Sequence, residues 1–157
     1  MLIILIGTIA SGKSTYAREK AGDWDFFVLN DDAIVTMLHG GNYNRYDKEN
    51  KPIYKSIENA IVTSVLSQGR DLIIDRGVNI TRRSRKRFIG LASAFDVDSY
   101  AIVFPFEEPK VHVERRMLSD HRDLTYDHWM EAVERHIQEY EVPLMEEGFK
   151  NIKFIKG

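Results

Sequence analysis

Gly7-Thr8-Ile9-Ala10-Ser11-Gly12-Lys13-Ser14 comes directly after an unbroken aliphatic run, Leu2–Ile6. Such a run suits a parallel strand covered on both faces, and the glycine-bounded segment after it fits the pattern G-x-x-x-x-G-K-[ST]. A triphosphate carries several negative charges. Backbone N–H groups can surround them only where side chains stay clear, so glycine stands at the crowded points. The helix expected behind the loop, over Lys13–Lys20, adds the partial positive charge of its N-terminus. Gly7, Thr8, Ile9, Ala10, Ser11, Gly12, Lys13, Ser14 and Thr15 are therefore the expected nucleotide-binding residues. Lys13 would reach the β- and γ-phosphates and the Ser14 hydroxyl would ligate Mg²⁺. ATP with Mg²⁺ is the expected cofactor pair.

The rest of the chain supplies a matching scaffold. Further strands are expected over Phe26–Leu29, Asp71–Asp75, Val97–Phe104 and Ile152–Ile155. Helices are expected over Ala33–Leu38, Pro52–Ser67, Thr81–Ala94, Glu107–Asp120 and Tyr126–Glu139, with a loop over His39–Asn50. In the third helix the apolar residues Ile53, Ile57, Ile61, Val62 and Val65 recur at helical spacing. Alternating strands and helices predict an α/β three-layer fold with a mostly parallel five-stranded sheet and a helical lid at about residues 115–126. The 157 residues, 43% of them hydrophobic, suit one domain, 1–157, with a real core.

Charge and cysteine usage exclude other classes. A formal net charge of −2 argues against a globally basic nucleic-acid binder but leaves room for a local basic patch. The absence of cysteine removes disulfides, thiolate metal sites and a catalytic thiol, and it is compatible with a reducing cytoplasm. The apolar start is too short for a secretory signal or a membrane helix, so the chain is expected to be cytoplasmic with no membrane partner.

Within nucleotide-binding classes the sequence favours phosphoryl transfer. The only Asn-Lys, Asn50-Lys51, continues as Pro52-Ile53, so the guanine-reading N-K-x-D of GTPase switches is missing. Motor or AAA-type ATPases normally have larger domains and a longer acidic strand motif. Asp31 and Asp32 come after the second strand, at the sheet edge where ligands bind, and one of them could accept a hydroxyl proton while the other starts the helix. Asp75 ends the third strand, placed to hold Mg²⁺ through water or to bond Ser14. Asn79 is expected to cap the next helix. Arg115, Arg116 and Arg122 flank a turn expected to act as the lid, and Arg122 or Arg116 would neutralise charge in the transition state. The five cations from Arg82 to Arg87, with Arg82 and Arg83 first, spread around a helix; they suit either a solvated face or a polyanionic acceptor. Tyr43, Tyr46 and Tyr54 could stack on a base or simply pack. The five histidines read as surface or packing residues.

Four segments together resemble the kinase domain of polynucleotide 5′-hydroxyl kinases, within the group of small P-loop kinases that includes zeta-toxin-like enzymes. They are Gly7–Thr15, Leu29-Asn-Asp-Asp32, Ile74-Asp75-Arg-Gly-Val-Asn79 with Arg82-Arg83 beyond it, and Tyr140-Glu-Val-Pro143 with Glu146-Glu-Gly-Phe149 and Ile152. The resemblance implies that Asp31 is the general base. On the residue reading, Asp32, Arg82, Arg83 and Tyr46 are expected on the acceptor side. Two positions depart from it. Phage-type members carry an arginine three residues after the base, where this chain has Ile34. Arg116 and Arg122 are also spaced more widely than the family's usual pair. The expectation is a kinase domain alone, with no phosphatase or ligase domain attached.

The reading is an ATP-dependent phosphotransferase acting on a hydroxyl of a nucleic acid, most simply a 5′-OH end. One alternative keeps the chemistry with another acceptor, namely a nucleoside, sugar, antibiotic or hydroxymethyl pyrimidine in DNA. The other is an ATP-binding module without transfer.

Overall fold

The computed structural model describes residues 1–119 and 122–156, the side chain of Trp24 excepted. Five strands, β1 (Leu2–Ile6), β2 (Phe27–Asn30), β3 (Leu72–Asp75), β4 (Ser99–Val103) and β5 (Phe149–Phe154), form one sheet in the order β2-β3-β1-β4-β5. Every ladder between them is parallel, so the sheet expected to be mostly parallel is parallel throughout the described residues. Asp75 lies level with Leu5 on one side and Asn30 on the other. The ends of β1, β2 and β3 therefore share one carboxyl edge.

The aliphatic run works as a two-faced strand. Leu2, Ile4 and Ile6 join Leu72, Ile74, Ala101 and Val103 in a core covered by α2 (Asp31–Leu38), α3 (Lys51–Ser67) and α4 (Arg82–Ala94). Ile3, Leu5, Ile73 and Ile102 face the other way, onto Ala17 and Tyr16 of α1 (Lys13–Trp24). A third cluster, Val113, Trp129, Ala132 and Val133, joins α5 (Pro109–Ser119) to α6 (Tyr126–Glu139), and Ile9 of the glycine-rich loop packs against it. The helices on either side of the expected lid thus pack on the glycine-rich loop; residues 120 and 121 of that lid lie outside the described residues.

Several expectations need correction. α1 runs on to Trp24, beyond the Lys20 expected, because Gly22 weakens a helix without ending it. The long loop contains two 3-10 turns, Tyr43–Arg45 and Lys48–Asn50. The buried stripe of α3 is Tyr54, Glu58, Val62 and Leu66, whereas Ile53 is 53% exposed. β4 is shorter than expected, and β5 starts earlier, at Phe149. Asn79 does not cap α4. Thr81 does, accepting from the Ser84 N–H at 3.2 Å, while Asn79 Nδ2 donates to the carbonyls of Leu5 (3.1 Å) and Ile74 (3.2 Å) and ties β1 to β3.

The C-terminal Glu-Gly-Phe segment has a structural meaning. Glu147 accepts from Arg85 Nε at 2.8 Å and Nη2 at 2.7 Å. Arg85 is fully buried and also donates from Nη1 to the carbonyls of Asn79 (3.1 Å) and Ile80 (2.9 Å). Gly148 has φ +108°, and a Cβ there would come within 2.9 Å of Ile89 Cγ2. Phe149 then enters the core. Removing one partner of a buried ion pair strands the other. Arg85→Ala is therefore expected to lower unfolding free energy by about 3–5 kcal/mol in chemical denaturation, and the half-exposed Arg82→Ala to change it by less than about 0.5 kcal/mol.

Candidate active site

The glycine-rich loop turns from β1 into α1 through backbone that few side chains tolerate. Gly12 has φ +98° and Ala10 φ +52°. A Cβ on Gly7 would meet Ser11 Oγ at 2.6 Å and Phe104 Cβ at 3.0 Å. α1 then begins with no side-chain cap and no acid in its first turn, so its first amides keep their full affinity for an anion. The Thr8 hydroxyl is buried without a hydrogen-bond partner among the described residues. These features suit phosphate oxygens. Lys13 is buried, its Nζ donating to the carbonyls of Gly7 (2.9 Å) and Thr8 (2.6 Å) and to Ser11 Oγ (3.3 Å). Burial pulls its ammonium down to about 8, against the opposing pull of Asp75, Asp31 and Asp32.

Asp75 is buried and accepts from Asn30 Nδ2 at 3.0 Å, while Ser14 and Thr15 are exposed at the start of α1. Among the described residues no cluster of three or more metal-ligating side chains forms. Ser14 and Asp75 would therefore suit Mg²⁺ only together with a nucleotide's phosphates, the usual way this ion is held.

Asn30 starts α2 by accepting from the Ala33 N–H at 2.9 Å, which leaves both acids after it free of the capping role. Asp31 Oδ1 accepts the Asp32 N–H at 3.1 Å, and its Oδ2 lies 3.4 Å from Arg76 Nε. Burial pushes the Asp31 carboxyl up to about 7; Arg76 opposes this, and Asp32, Glu58 and Asp75 add to it. Arg76 Nε is shared with Glu58 Oε1 at 3.1 Å. Glu58 is itself buried and also pairs with Arg87. Both guanidinium groups lie over the Phe88 ring, 5.4 and 4.3 Å from its centre.

Asp31 and Asp32 open onto a cavity of about 750 Å³ between α2, α3, α4 and the α5–α6 pair. Eight Lys and Arg residues line it against three carboxylates. Arg122 and Arg116 both reach it from the lid side. Arg122 Nη2 donates to Asp32 Oδ2 at 3.4 Å, and its guanidinium lies 4.3 Å from the Tyr43 ring centre. Arg116 lies 4.6 Å from the Trp129 ring centre. The tyrosines stack on one another, Tyr43 on Tyr46 at 6.2 Å and Tyr46 on Tyr54 at 5.7 Å. Tyr46 keeps 41% of its surface exposed.

Of the residues singled out in the sequence, the fold brings Lys13, Asp31, Asp32 and Asp75 to one edge, with Arg116, Arg122, Arg83 and Tyr46 around the adjoining cavity. It does not bring Arg82 there: that side chain turns toward Glu147, 3.7 Å away. The cluster from Arg82 to Arg87 splits by helical phase, with Arg83 and Arg87 on the cavity, Arg85 in the core and Lys86 on another surface. Three residues of the site escaped the sequence reading. Glu58 had a signal, an acid at i, i+4 spacing within the stripe of Tyr54, Val62 and Leu66. Arg76 adjoins Asp75 in the chain. His136, read as surface or packing, is buried on the cavity wall, and burial with Lys13 and Arg135 nearby pulls it down to about 4; nothing in its local sequence marks it.

Known proteins share this architecture. A structure of a Pnkp1/Rnl/Hen1 complex is 25% identical with a TM-score of 0.63, over 80% of this chain and 40% of that one. The chain thus spans about two fifths of that relative's length. Kti12 of Chaetomium thermophilum, solved with ADP-AlF3, is 20% identical with a TM-score of 0.63 over 99% of this chain and 88% of that one. Shikimate kinase of Acinetobacter baumannii, solved with shikimate, is 16% identical with a TM-score of 0.62 over 99% and 84%. No curated protein matches the sequence. No helix of the described residues is long and apolar enough to cross a membrane. Residues 2–143 match the family described as an AAA domain, so the chain belongs to that family, with the nucleotide-binding fold of a P-loop kinase.

Proposed function

We propose that the protein is an ATP-dependent kinase that transfers the γ-phosphate to a hydroxyl of a nucleic acid, most simply a 5′-OH end. One observation carries this reading: Asp31, a carboxylate held near neutral proton affinity, sits between the phosphate-loop lysine and a cavity rich in arginine and lysine. On a chain of net charge −2, so local an excess of cations favours an anionic acceptor.

ATP with Mg²⁺ supplies the activated phosphoryl group, and Lys13, the loop amides, Ser14 and Asp75 would hold the pair. Asp31 Oδ2 takes the acceptor hydroxyl's proton as the new O–P bond forms, while the bond from the γ-phosphorus to the bridging oxygen breaks and ADP leaves with that oxygen. A base with this affinity is matched to work at neutral pH. Arg122, with Arg116 behind it, is the lid cation that would neutralise developing charge, as phosphoryl transfer requires. Domain 1–157 acts as one unit in this account, with the lid at about 115–126.

A smaller hydroxylated acceptor is the second reading. Ile34, where phage-type members of the resembling family carry a phosphate-contacting arginine, is only 5% exposed and belongs to the core, so that contact is missing. Ionic strength separates the readings. A polyanion held by several cations loses kcat/KM steeply with salt, while an uncharged acceptor shows a shallow dependence.

The free-enzyme profile of kcat/KM should be bell-shaped, rising as Asp31 ionises near pH 7 and falling as Lys13 loses its proton near pH 8. In the kcat profile the alkaline limb should move up, because bound phosphates hold the proton on Lys13. Asp31→Asn should lower kcat at least about 100-fold while ATP binding, tracked by calorimetry, stays intact. The same variant should not be less stable at pH 8. A carboxyl that ionises near 3.8 when unfolded and near 7 when folded disfavours the folded state fully above pH 7 and not at all below pH 4. Asparagine removes that contribution, so Tm at pH 8 should rise. Unchanged turnover in this variant would reject Asp31 as the base.

A further inference from the structure

The cations around the cavity are not equivalent. At its inner end each carboxylate has an arginine: Asp31 has Arg76, Asp32 has Arg122, and Glu58 has Arg76 and Arg87. At the outer rim Lys51 and Lys55 of α3 and Arg83 of α4 are exposed and form no ion pair among the described residues. Lys51 and Lys55 stand one helical turn apart, about 6 Å along the axis, close to one nucleotide step of an extended strand. Arg83 stands one turn before Arg87. Arg87 fixes α4 beside α3, donating from Nη1 to the Lys55 carbonyl (3.3 Å) and Asn59 Oδ1 (2.6 Å) and pairing with Glu58. The three rim cations are thus held along one groove by a buried clamp. The tyrosine stack borders the same groove, and Tyr46 presents its exposed ring there.

We infer that the groove between α3 and α4 is a track for the sugar–phosphate backbone of the acceptor, with Lys51, Lys55 and Arg83 on successive phosphates beyond the reacting end. The inference rests on the nucleic-acid reading proposed above and deepens it: the preferred acceptor is an unpaired oligonucleotide several nucleotides long, rather than a mononucleotide or a free nucleoside. Charge spacing along two clamped helices reads phosphates without reading bases.

The test uses a 5′-OH dinucleotide and a 5′-OH single-stranded 12-mer with the whole chain. Wild type should prefer the 12-mer by at least tenfold in kcat/KM. In Lys51→Ala/Lys55→Ala the ratio of the two should fall toward one, and the log–log salt slope for the 12-mer should become shallower by about 0.7 per lysine removed. Lys51→Arg/Lys55→Arg should restore both. Anisotropy of a fluorescent 12-mer supplies binding without transfer. Binding that weakens in the alanine variant, with no transfer in wild type, would keep the track and overturn the proposed reaction. Transfer with an unchanged length ratio and salt slope in the alanine variant would overturn the track and keep the reaction. Neither binding nor transfer would overturn both.

Discussion

A buried ammonium at the carboxyl edge of a parallel sheet is the constraint on which the rest depends. Isolating such a charge from water costs several kcal/mol, so Lys13 is tolerable only where carbonyls and carboxylates face it. The loop supplies the carbonyls of Gly7 and Thr8, and the strand ends supply Asp75 and Asp31. The register makes this possible, because Asp75 is level with Asn30 in one neighbour and with Leu5, two residues short of the loop, in the other. The same burial that pulls Lys13 down pushes Asp31 up. One environment thus moves a cation and an acid toward neutrality from opposite sides, a pattern in which acid and base roles separate.

Arginine is divided by function according to depth. Arg85 is a structural post that locks α4 to the Glu147-Gly148-Phe149 segment. Arg76 and Arg87 share one buried carboxylate, Glu58, and hold the wall behind Asp31. Arg116 and Arg122 rest on aromatic rings on the lid side, where the ring faces attract the cation. A formal net charge near zero conceals this segregation. The acids of the chain are spent in part on pairing arginines at the inner end of the cavity, so the outer rim is left cationic.

Local rules made much of this legible. The loop is readable because phosphate recognition demands small residues, a lysine and a hydroxyl at fixed spacing. β1 and β3 are readable because strands buried on both faces must be aliphatic throughout. Asp31 and Asp75 are readable from their places at strand ends. What resisted reading depends on contacts distant in sequence. Glu58 is recognisable only once α3 is known to turn Tyr54, rather than Ile53, inward. His136 reaches the cavity wall only through the packing of α6. Arg82 and Arg83 are neighbours in sequence, but one faces Glu147 and the other the groove, a division that only helical phase against two different partners decides. The C-terminal motif shared with the resembling kinases was legible as a pattern but not as a cause; its cause is the buried Arg85 and the close approach of Gly148 to Ile89.

The central claim is that the phosphate loop and Asp31 act together on one acceptor hydroxyl. The most direct measurement is to incubate the protein with γ-labelled ATP, Mg²⁺ and a 5′-OH oligonucleotide, then digest the product to mononucleotides. The account predicts label on the 5′-terminal nucleotide alone, and none when Asp31 is replaced by asparagine. Label that stays on ATP, or appears only as inorganic phosphate, would contradict it.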